Sequence, residues 1–364
     1  MNRRTFLAGA GALALMTKAG GARAATPGFL CTAQRPDGRA AALAFDADGG
    51  LRFALDLPAR GHGAVVSPDR RHLVVFARRP GLEALVVDAA TGAPRHRLRV
   101  PDDRRLCGHG AYAGGRLFTT ENDFEGERGM LGIWDPARNF ERVGEVPSGG
   151  IGPHEIVSLG DGLAVANGGI LTHPDSGRQK LNLPTMRPVI ALFDATGAPT
   201  RRVEAPWDLH QVSLRHMTAG PNGDLWIGGQ FQGDRRRRVP LVARLGAGGG
   251  LTYLPAAEAP LRHLRQYCGS VVLDSSGTVV AISSPRGGAV TFWDARGGAY
   301  MGSVDLPDVC ALGALPQAGR FVAGSGGAGL CAVAVDAARP RPLARQPMGL
   351  SGAEIAWDNH MVAL

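Results

Sequence analysis

The sequence has few cysteines, almost no lysine and no long apolar run. Its five cysteines form no CxxC pair, which excludes a zinc finger, a thioredoxin-type site and the CxxCH attachment motif of a c-type haem. No stretch comes close to the roughly 20 apolar residues that span a bilayer, so we expect no transmembrane helix. A nucleophile elbow and a phosphate-binding loop are also absent from the sequence. Short motifs therefore name no reaction.

Helix signals are missing as well, whereas turn residues are abundant. We find no long apolar pattern of period 3.6 with capping residues, but the chain holds 53 glycines and 25 prolines. This composition is typical of many short strands joined by tight turns.

A repeat of about 45 residues is the main feature that the sequence does contain. Its first half is a strand marked by Gly or His, a turn and a second strand, as in GHGAVVSPDRRHLVVF from Gly61. Its second half is a hairpin containing Asp-Ala-x-x-Gly, as in VIALFDATGAPTRRV from Val189. Each half occurs seven times. The repeat predicts an all-β fold, a seven-bladed β-propeller, because such units bury their faces only against neighbours in a closed ring.

The two ends of the chain are incomplete units that complement each other. The chain opens with a second half at residues 30–57 and finishes with an unpaired first half at 351–364. We therefore expect one blade to be closed jointly by the N- and C-terminal segments, with the C-terminal segment giving the inner strands. Such closure protects the last sheet edges.

Residues 1–24 have the features of a twin-arginine signal peptide. Arg3 and Arg4 form the pair, a short apolar run follows, and Ala22-Arg23-Ala24 is a small-residue cleavage pattern. We expect the mature propeller to comprise residues 25–364, to lie in the periplasm and to have no membrane span. Cys268 and Cys310 occupy matching repeat positions and are the best candidates for a disulfide. We nevertheless favour free thiols, because twin-arginine substrates fold in a reducing compartment.

Arginine supplies nearly all the positive charge, since Lys18 and Lys180 are the only lysines. The densest cluster, at residues 235–238, could meet phosphate or an acidic partner. No aromatic platform or recognition helix accompanies it. We therefore interpret it as a solvated loop and expect no nucleic-acid partner.

Polar residues concentrate at one mouth of the predicted ring. The loops after the second strands, together with the starts of the channel strands, carry acids, amides, histidines and arginines where simple turns would suffice. The insertion at 170–188 is long enough to suggest a functional flap over this mouth, anchored by Leu181, Leu183 and Met186. The predicted ligand-binding residues are Glu121, Asn122, Asp123, Glu155, Asn167, His173, Arg178, Lys180, Arg187, His210, Gln230, Arg286 and Glu354.

Four histidines, His62, His109, His154 and His216, occupy nearly equivalent positions in successive units. Imidazole is the commonest metal ligand, and ligands from adjacent blades could converge on the axis. Alternatively, each histidine bonds the backbone of a neighbouring strand and ties blades together. Glu155 and Glu354 have the same two interpretations, as ligand or base in the channel or as a carboxylate paired inside a blade.

Several strings closely resemble a family of twin-arginine-exported bacterial proteins known as a domain of unknown function (DUF1513). They are GHGAYAGGRLFTTENDFE, GIGPHEIVSLGDGLAVANGGI, THPDSGRQKLNLPTMRP, HQVSLRHM, SSPRGG and GLSGAEIAWDNHMV. The resemblance implies a YVTN- or quinoprotein-like propeller with seven blades. It also implies a genetic setting beside imelysin-type and di-haem proteins of iron uptake, but it carries over no catalytic residues.

The favoured hypothesis is a periplasmic protein that binds a metal ion, a metal chelate or a small anionic ligand at the His-rich mouth, in an iron-related system. Iron and copper are the candidate cofactors, and periplasmic iron-uptake or redox proteins are the candidate partners. The alternatives are a metal-dependent lactonase or hydrolase, which needs an open coordination position and a base, a cofactor-free partner of a redox complex, and a purely structural platform.

Overall fold

The computed structural model describes residues 28–177, 179–220, 222–255, 257–338, 341–350 and 355–364. The predicted signal peptide, Arg178 and Glu354 lie outside the described residues. No helix in the described part of the chain is long and apolar enough to cross a membrane.

The described residues form seven four-stranded antiparallel sheets, which are the blades of a propeller. Blade 1 contains β1 (Gly28–Gln34), β2 (Ala40–Asp46) and β3 (Leu51–Asp56); blade 2 contains β4 (Gly61–Val66), β5 (His72–Ala77), β6 (Glu83–Asp88) and β7 (Pro94–Arg99); blade 3 contains β8 (Arg104–Ala113), β9 (Arg116–Asp123), β10 (Arg128–Asp135) and β11 (Glu141–Pro147); blade 4 contains β12 (Pro153–Leu159), β13 (Gly162–Asn167), β14 (Val189–Phe193) and β15 (Pro199–Glu204).

The remaining blades follow the same plan. Blade 5 contains β16 (Val212–Ala219), β17 (Leu225–Phe231), β18 (Val242–Leu245) and β19 (Leu251–Tyr253); blade 6 contains β20 (Ser270–Leu273), β21 (Val279–Ser284), β22 (Ala289–Asp294) and β23 (Tyr300–Asp305); blade 7 contains β24 (Val309–Ala314), β25 (Arg320–Ser325), β26 (Gly329–Asp336) and β27 (Arg341–Pro347); β28 (Ala356–Ala363) returns to blade 1.

Blade 1 closes the ring with strands from both ends of the chain, as expected. β28 pairs antiparallel with β1, and the sheet runs in the order β28, β1, β2, β3. The division differs from the expected one, because the C-terminal segment contributes one inner strand and the N-terminal segment three. Residues 28–34 already form the second strand, so the last unit needs only a single strand to complete the blade.

The core lies between neighbouring blades. Middle strands such as β5 are buried along most of their length, and this explains why they read as continuous apolar runs. The outer strand β3 instead alternates between exposed and partly buried residues. Trp357 of β28 packs edge-on against Phe45 of β2, with ring centroids 5.4 Å apart, so the closing strand is part of the core.

One short helix and four 3-10 turns lie between strands in the described residues. The helix was not predicted, because its two turns are too short to produce a period; Glu258 in its first turn and Arg262 in its last turn suit the helix dipole. All five cysteines are buried free thiols. These elements are α1 (Glu258–Leu264) and the 3-10 turns Pro136–Arg138, Pro174–Ser176, Leu183–Thr185 and Trp207–Leu209.

Candidate metal centre and cationic cavity

Five consecutive blades each place one histidine on the inner strand that lines the channel. Neighbouring rings are 4.6 to 4.9 Å apart between centroids, and the closest pair is His109 and His360 at 4.6 Å. The channel histidines are His62 on β4, His109 on β8, His154 on β12, His216 on β16 and His360 on β28.

A β-bulge in each of these strands lies at or beside the histidine. On β16, Leu214 faces Gly229 and His216 faces Gly228, so Arg215 is the extra residue of the bulge. The pairings of β4, β8, β12 and β28 shift in the same region. Bulges re-aim side chains and are common beside functional sites. Here the bulges turn the histidine rings toward one another, instead of leaving them in the regular alternation of side chains between the two faces of the sheet.

Gly108 permits the close approach of two of the histidines. Its φ is +100°, and a Cβ at this position would lie 2.4 Å from Cδ2 of His62. Both the backbone conformation and the packing therefore require glycine. A bulkier residue would push His62 away from His109.

The channel histidines are at least nine-tenths buried. One buried ring nitrogen of each has no hydrogen-bond partner. The sequence left open that these rings bond the backbone of neighbouring strands, but such bonds do not satisfy these five nitrogens. Unpartnered buried polar atoms are rare in native proteins and call for an explanation.

Burial keeps the five rings uncharged at neutral pH. The pKa values of His216 and His360 fall to about 3, chiefly because the rings are removed from water. The pKa values of the other three are also lowered well below the ordinary value, again by burial first. Repulsion from Arg215 adds to the effect at all of them except His62. Neutral imidazole is the form that binds metals.

Two overlapping groups of three side chains could each hold a metal ion. One is His62, His109 and His360, the other is Glu155, His216 and His360, and the ligand atoms within each group lie within 4.8 Å of one another. Two nitrogens bound at about 2.1 Å to one tetrahedral ion are about 3.4 Å apart. The most widely separated ligand atoms of either group would therefore have to approach each other by up to about 1.4 Å to coordinate one ion.

Glu155 is the only carboxylate in either of these two groups. It accepts a hydrogen bond of 2.7 Å from the Met217 backbone N–H and lies 3.5 Å from Nδ1 of His216. Burial raises its pKa to about 7, against opposing effects of His360 and the Met217 bond. This carboxyl can therefore be a neutral donor or an oxygen ligand near neutral pH.

A cavity of about 410 Å³ opens above the channel histidines, and His62, His154 and His216 contribute to its wall. No aspartate or glutamate lines it among the described residues, whereas six cationic side chains do. They are Arg78, Arg79, Arg105, Lys180, Arg215 and Arg286.

The structure brings five of the predicted ligand-binding residues to this cavity. Asn122, His173, Lys180, Gln230 and Arg286 all line it. The metal candidates His62, His109, His154 and His216 converge as well, together with Glu155.

Other predicted residues form internal contacts of the blades and do not line the cavity. Glu121 is fully buried in a two-point ion pair with Arg142, at 2.8 and 2.9 Å. Asp123 pairs with Arg104 and Arg128, and Asn167 bonds Ser148.

Arg187 and His210 lie together beside Trp207, away from the cavity. The guanidinium of Arg187 is 4.4 Å from the Trp207 ring centroid, and the His210 ring stacks on the same indole at 4.2 Å. Arg187 and His210 therefore belong to a cluster around Trp207 and not to the wall of the cavity.

Sequence reasoning missed His360 and four of the cavity arginines. His360 was hidden because the last unit was read as two strands, with Glu354 as its channel residue. Arg78 and Arg79 follow the second strand of blade 2, in the same class of loop that predicted the other site residues. Their position in that loop is the sequence signal that could have identified Arg78 and Arg79 as site residues.

The insertion at 170–188 covers part of the cavity. Thr172, His173 and Lys180 from its described part line the wall, and the Lys180 ammonium donates to Gln232 of blade 5. Met186 is fully buried as expected, but Leu181 is 46% exposed and does not anchor the segment.

Comparison with protein families settles the relationship of the chain. A model of the family described as "Protein of unknown function (DUF1513)" matches residues 55–364. The chain belongs to this family. No curated protein sequence matches this DUF1513 chain.

Solved structures similar to this DUF1513 protein are also propellers. The periplasmic gluconolactonase PpgL of Pseudomonas aeruginosa is 11% identical with a TM-score of 0.65, covering 93% of this chain and 99% of that one. A putative 6-phosphogluconolactonase from Bacteroides uniformis is 11% identical with a TM-score of 0.61 and the same coverage. Hydrazine synthase of Kuenenia stuttgartiensis is 16% identical, with a TM-score of 0.60, covering 85% of this chain and 95% of that chain. At these identities the similarity shows the fold alone.

Proposed function

We propose that this protein is a periplasmic metal-binding propeller whose channel histidines hold one first-row transition metal ion. The observation that supports this most is the set of five buried, uncharged imidazoles, each with an unpartnered nitrogen. A buried polar atom without a partner costs about 1–3 kcal/mol. Coordination to a metal would satisfy several of these atoms at once.

The donor set favours metals that accept imidazole, which are iron, copper, zinc and nickel. Two histidines with Glu155 would suit iron(II), because that set is the two-histidine, one-carboxylate type. The three-histidine group would suit copper or zinc. Iron and copper remain the first ions to test, in line with the iron-related setting implied by the family resemblance.

We prefer binding over lactone or other hydrolysis because the candidate general bases among the described residues are paired or would bind the ion. Glu121 and Asp123 are paired with arginines, and Glu155 is itself a ligand where the ion lies with His216 and His360. Hydrolysis needs a base beside an open coordination position. We therefore expect the metal-loaded protein to leave lactones intact.

Metal content tests the proposal directly. The protein, exported with its native signal and purified without a metal-binding tag, should contain close to one transition metal ion per chain by plasma mass spectrometry. Replacing His109 and His216 together by Ala should reduce the metal content at least tenfold, because the pair removes one ligand from each of the two candidate groups.

His210→Ala is the matched control, since that histidine stacks on Trp207 outside the cavity. It should keep the full metal content, and circular dichroism should show the same strand signal for all three proteins. If wild-type protein stays free of metal after incubation with iron(II), copper(II) and zinc, or if the double variant keeps its metal, the proposed site is wrong.

A further inference from the structure

We infer that the cavity above the channel histidines binds a small polyanion carrying carboxylate or phosphate oxygens. The inference deepens the proposed function and rests on it for the metal ion beneath, but the anion site itself stands on separate residues. Di- or tricarboxylates and phosphates share the chemistry that the cavity recognises.

Charge is the first argument. Six cationic side chains surround about 410 Å³ of space, and no carboxylate among the described residues lines it. A cation adjacent to the channel histidines would increase the repulsion. An anion of two or more charges is the ligand that such a cavity attracts.

Arg215 is the second argument, because it is built into the wall rather than displayed on the surface. Only 8% of the residue is exposed, and its buried Nε has no hydrogen-bond partner. A guanidinium stays charged at neutral pH. A buried charged group needs an opposite charge to offset its desolvation. A carboxylate or phosphate in the cavity would supply it.

Neighbouring side chains hold the cationic groups in place before a ligand arrives. Arg286 lies over the Tyr267 ring, 4.6 Å from its centroid. Lys180 donates to Gln232, and its pKa is lowered first by burial and then by Arg286 and Arg215. Preorganised donors reduce the entropy lost on binding. Arginine in particular presents a planar fork that matches the two oxygens of a carboxylate or phosphate.

The size and floor of the cavity define the ligand further. A volume of about 410 Å³ is at the lower end of the range for small-molecule sites, about 300–1,000 Å³. His62, His154 and His216 form part of its wall. An anion held by the arginines would place an oxygen next to the metal site, where it could complete the coordination and offset the charge of the ion.

Titration calorimetry with citrate, inorganic phosphate and acetate tests the inference on the full chain, both metal-free and metal-loaded. Citrate or phosphate should bind the metal-free protein at least tenfold more tightly than acetate, and binding should weaken as salt is added. Preference for citrate identifies a polycarboxylate site, and preference for phosphate identifies a phosphate site. Binding of neither anion at millimolar concentration overturns the inference.

Variants locate the bound anion. Arg79→Ala combined with Arg286→Ala should weaken binding at least tenfold without loss of metal, because both side chains are exposed at the rim and lie outside the metal groups. Arg236→Ala removes a nearby, highly exposed arginine and should leave affinity unchanged. Equal losses in both proteins would mean that only the general positive field attracts the anion, and the cavity site would be rejected.

Arg215→Gln should abolish binding, and Arg215→Lys should restore part of it if the variant folds. If the Arg215 variants do not fold, the double variant of Arg79 and Arg286 still tests the site. Anion binding without metal binding would remove the proposed metal function and leave this inference standing. Metal binding without anion binding would overturn this inference and leave the proposed metal function standing.

Discussion

Acidification should strongly destabilise the metal-free protein between pH 6.5 and pH 4.5. The channel histidines are neutral in the fold but bind protons in the unfolded chain below its pKa of about 6.5. Where the unfolded state binds more protons, stability falls as pH falls, by about 1.4 kcal/mol per pH unit and group. For His216 and His360, whose folded pKa values are about 3, this amounts to about 3 kcal/mol each at pH 4.5.

Glu155 acts in the opposite sense across this range. Its folded pKa of about 7 is above the unfolded value of 4.5, so it favours the folded state at acidic pH and loses that contribution as pH rises toward 7. One carboxyl against five imidazoles leaves the net effect destabilising in acid. Urea unfolding of metal-free protein at several pH values measures it.

His154→Gln provides a matched variant for this measurement. It removes one group that takes up a proton on unfolding, so the slope of unfolding free energy against pH should fall by about 1.4 kcal/mol per unit. A wild-type stability that is constant from pH 7 to pH 4.5 would contradict the buried, neutral histidines.

Metal binding should stabilise the ring, and His360→Ala should remove that stabilisation. An ion that binds only the folded chain at 100 times its dissociation constant adds about 2.7 kcal/mol. For a chain of this length this raises the melting temperature by roughly 4 °C. His360 belongs to both candidate metal groups, so its loss breaks each of them.

Calorimetric melting with and without metal checks this prediction. The His210→Ala protein should retain the full shift, because the ring lies outside the cavity, whereas His360→Ala should show almost none. An unchanged shift in His360→Ala would mean that the ion lies elsewhere. A matching loss in the control would point to a general effect on stability instead.

Repeats made the fold predictable, because each unit carries its own turn and strand signals. Four of the five channel histidines were predictable for the same reason, since each occupies an equivalent place in a full unit. His360 was not, because the described residues of the last unit form one strand, whereas reading the unit as two strands assigned the channel position to Glu354.

Contacts between the strands of one blade also limited how much of the site could be predicted from the sequence. Glu121 was expected in a loop at the mouth, but it lies within β9 and Arg142 from β11 neutralises it inside blade 3. Which of two polar residues reaches the cavity depends on contacts between strands some 20 residues apart. A single sequence gives the spacing of residues along the chain but not their partners in the fold. For the same reason it could not show that Arg187 and His210 lie away from the wall of the cavity.

The proposed site joins His62 on β4 to His360 on β28, two strands that are far apart in the sequence. The two rings meet only when β28 pairs with β1 and completes blade 1. A ring that opens at this seam would lose His360 from both groups of ligands, so metal affinity should report the fraction of molecules in which the ring is closed.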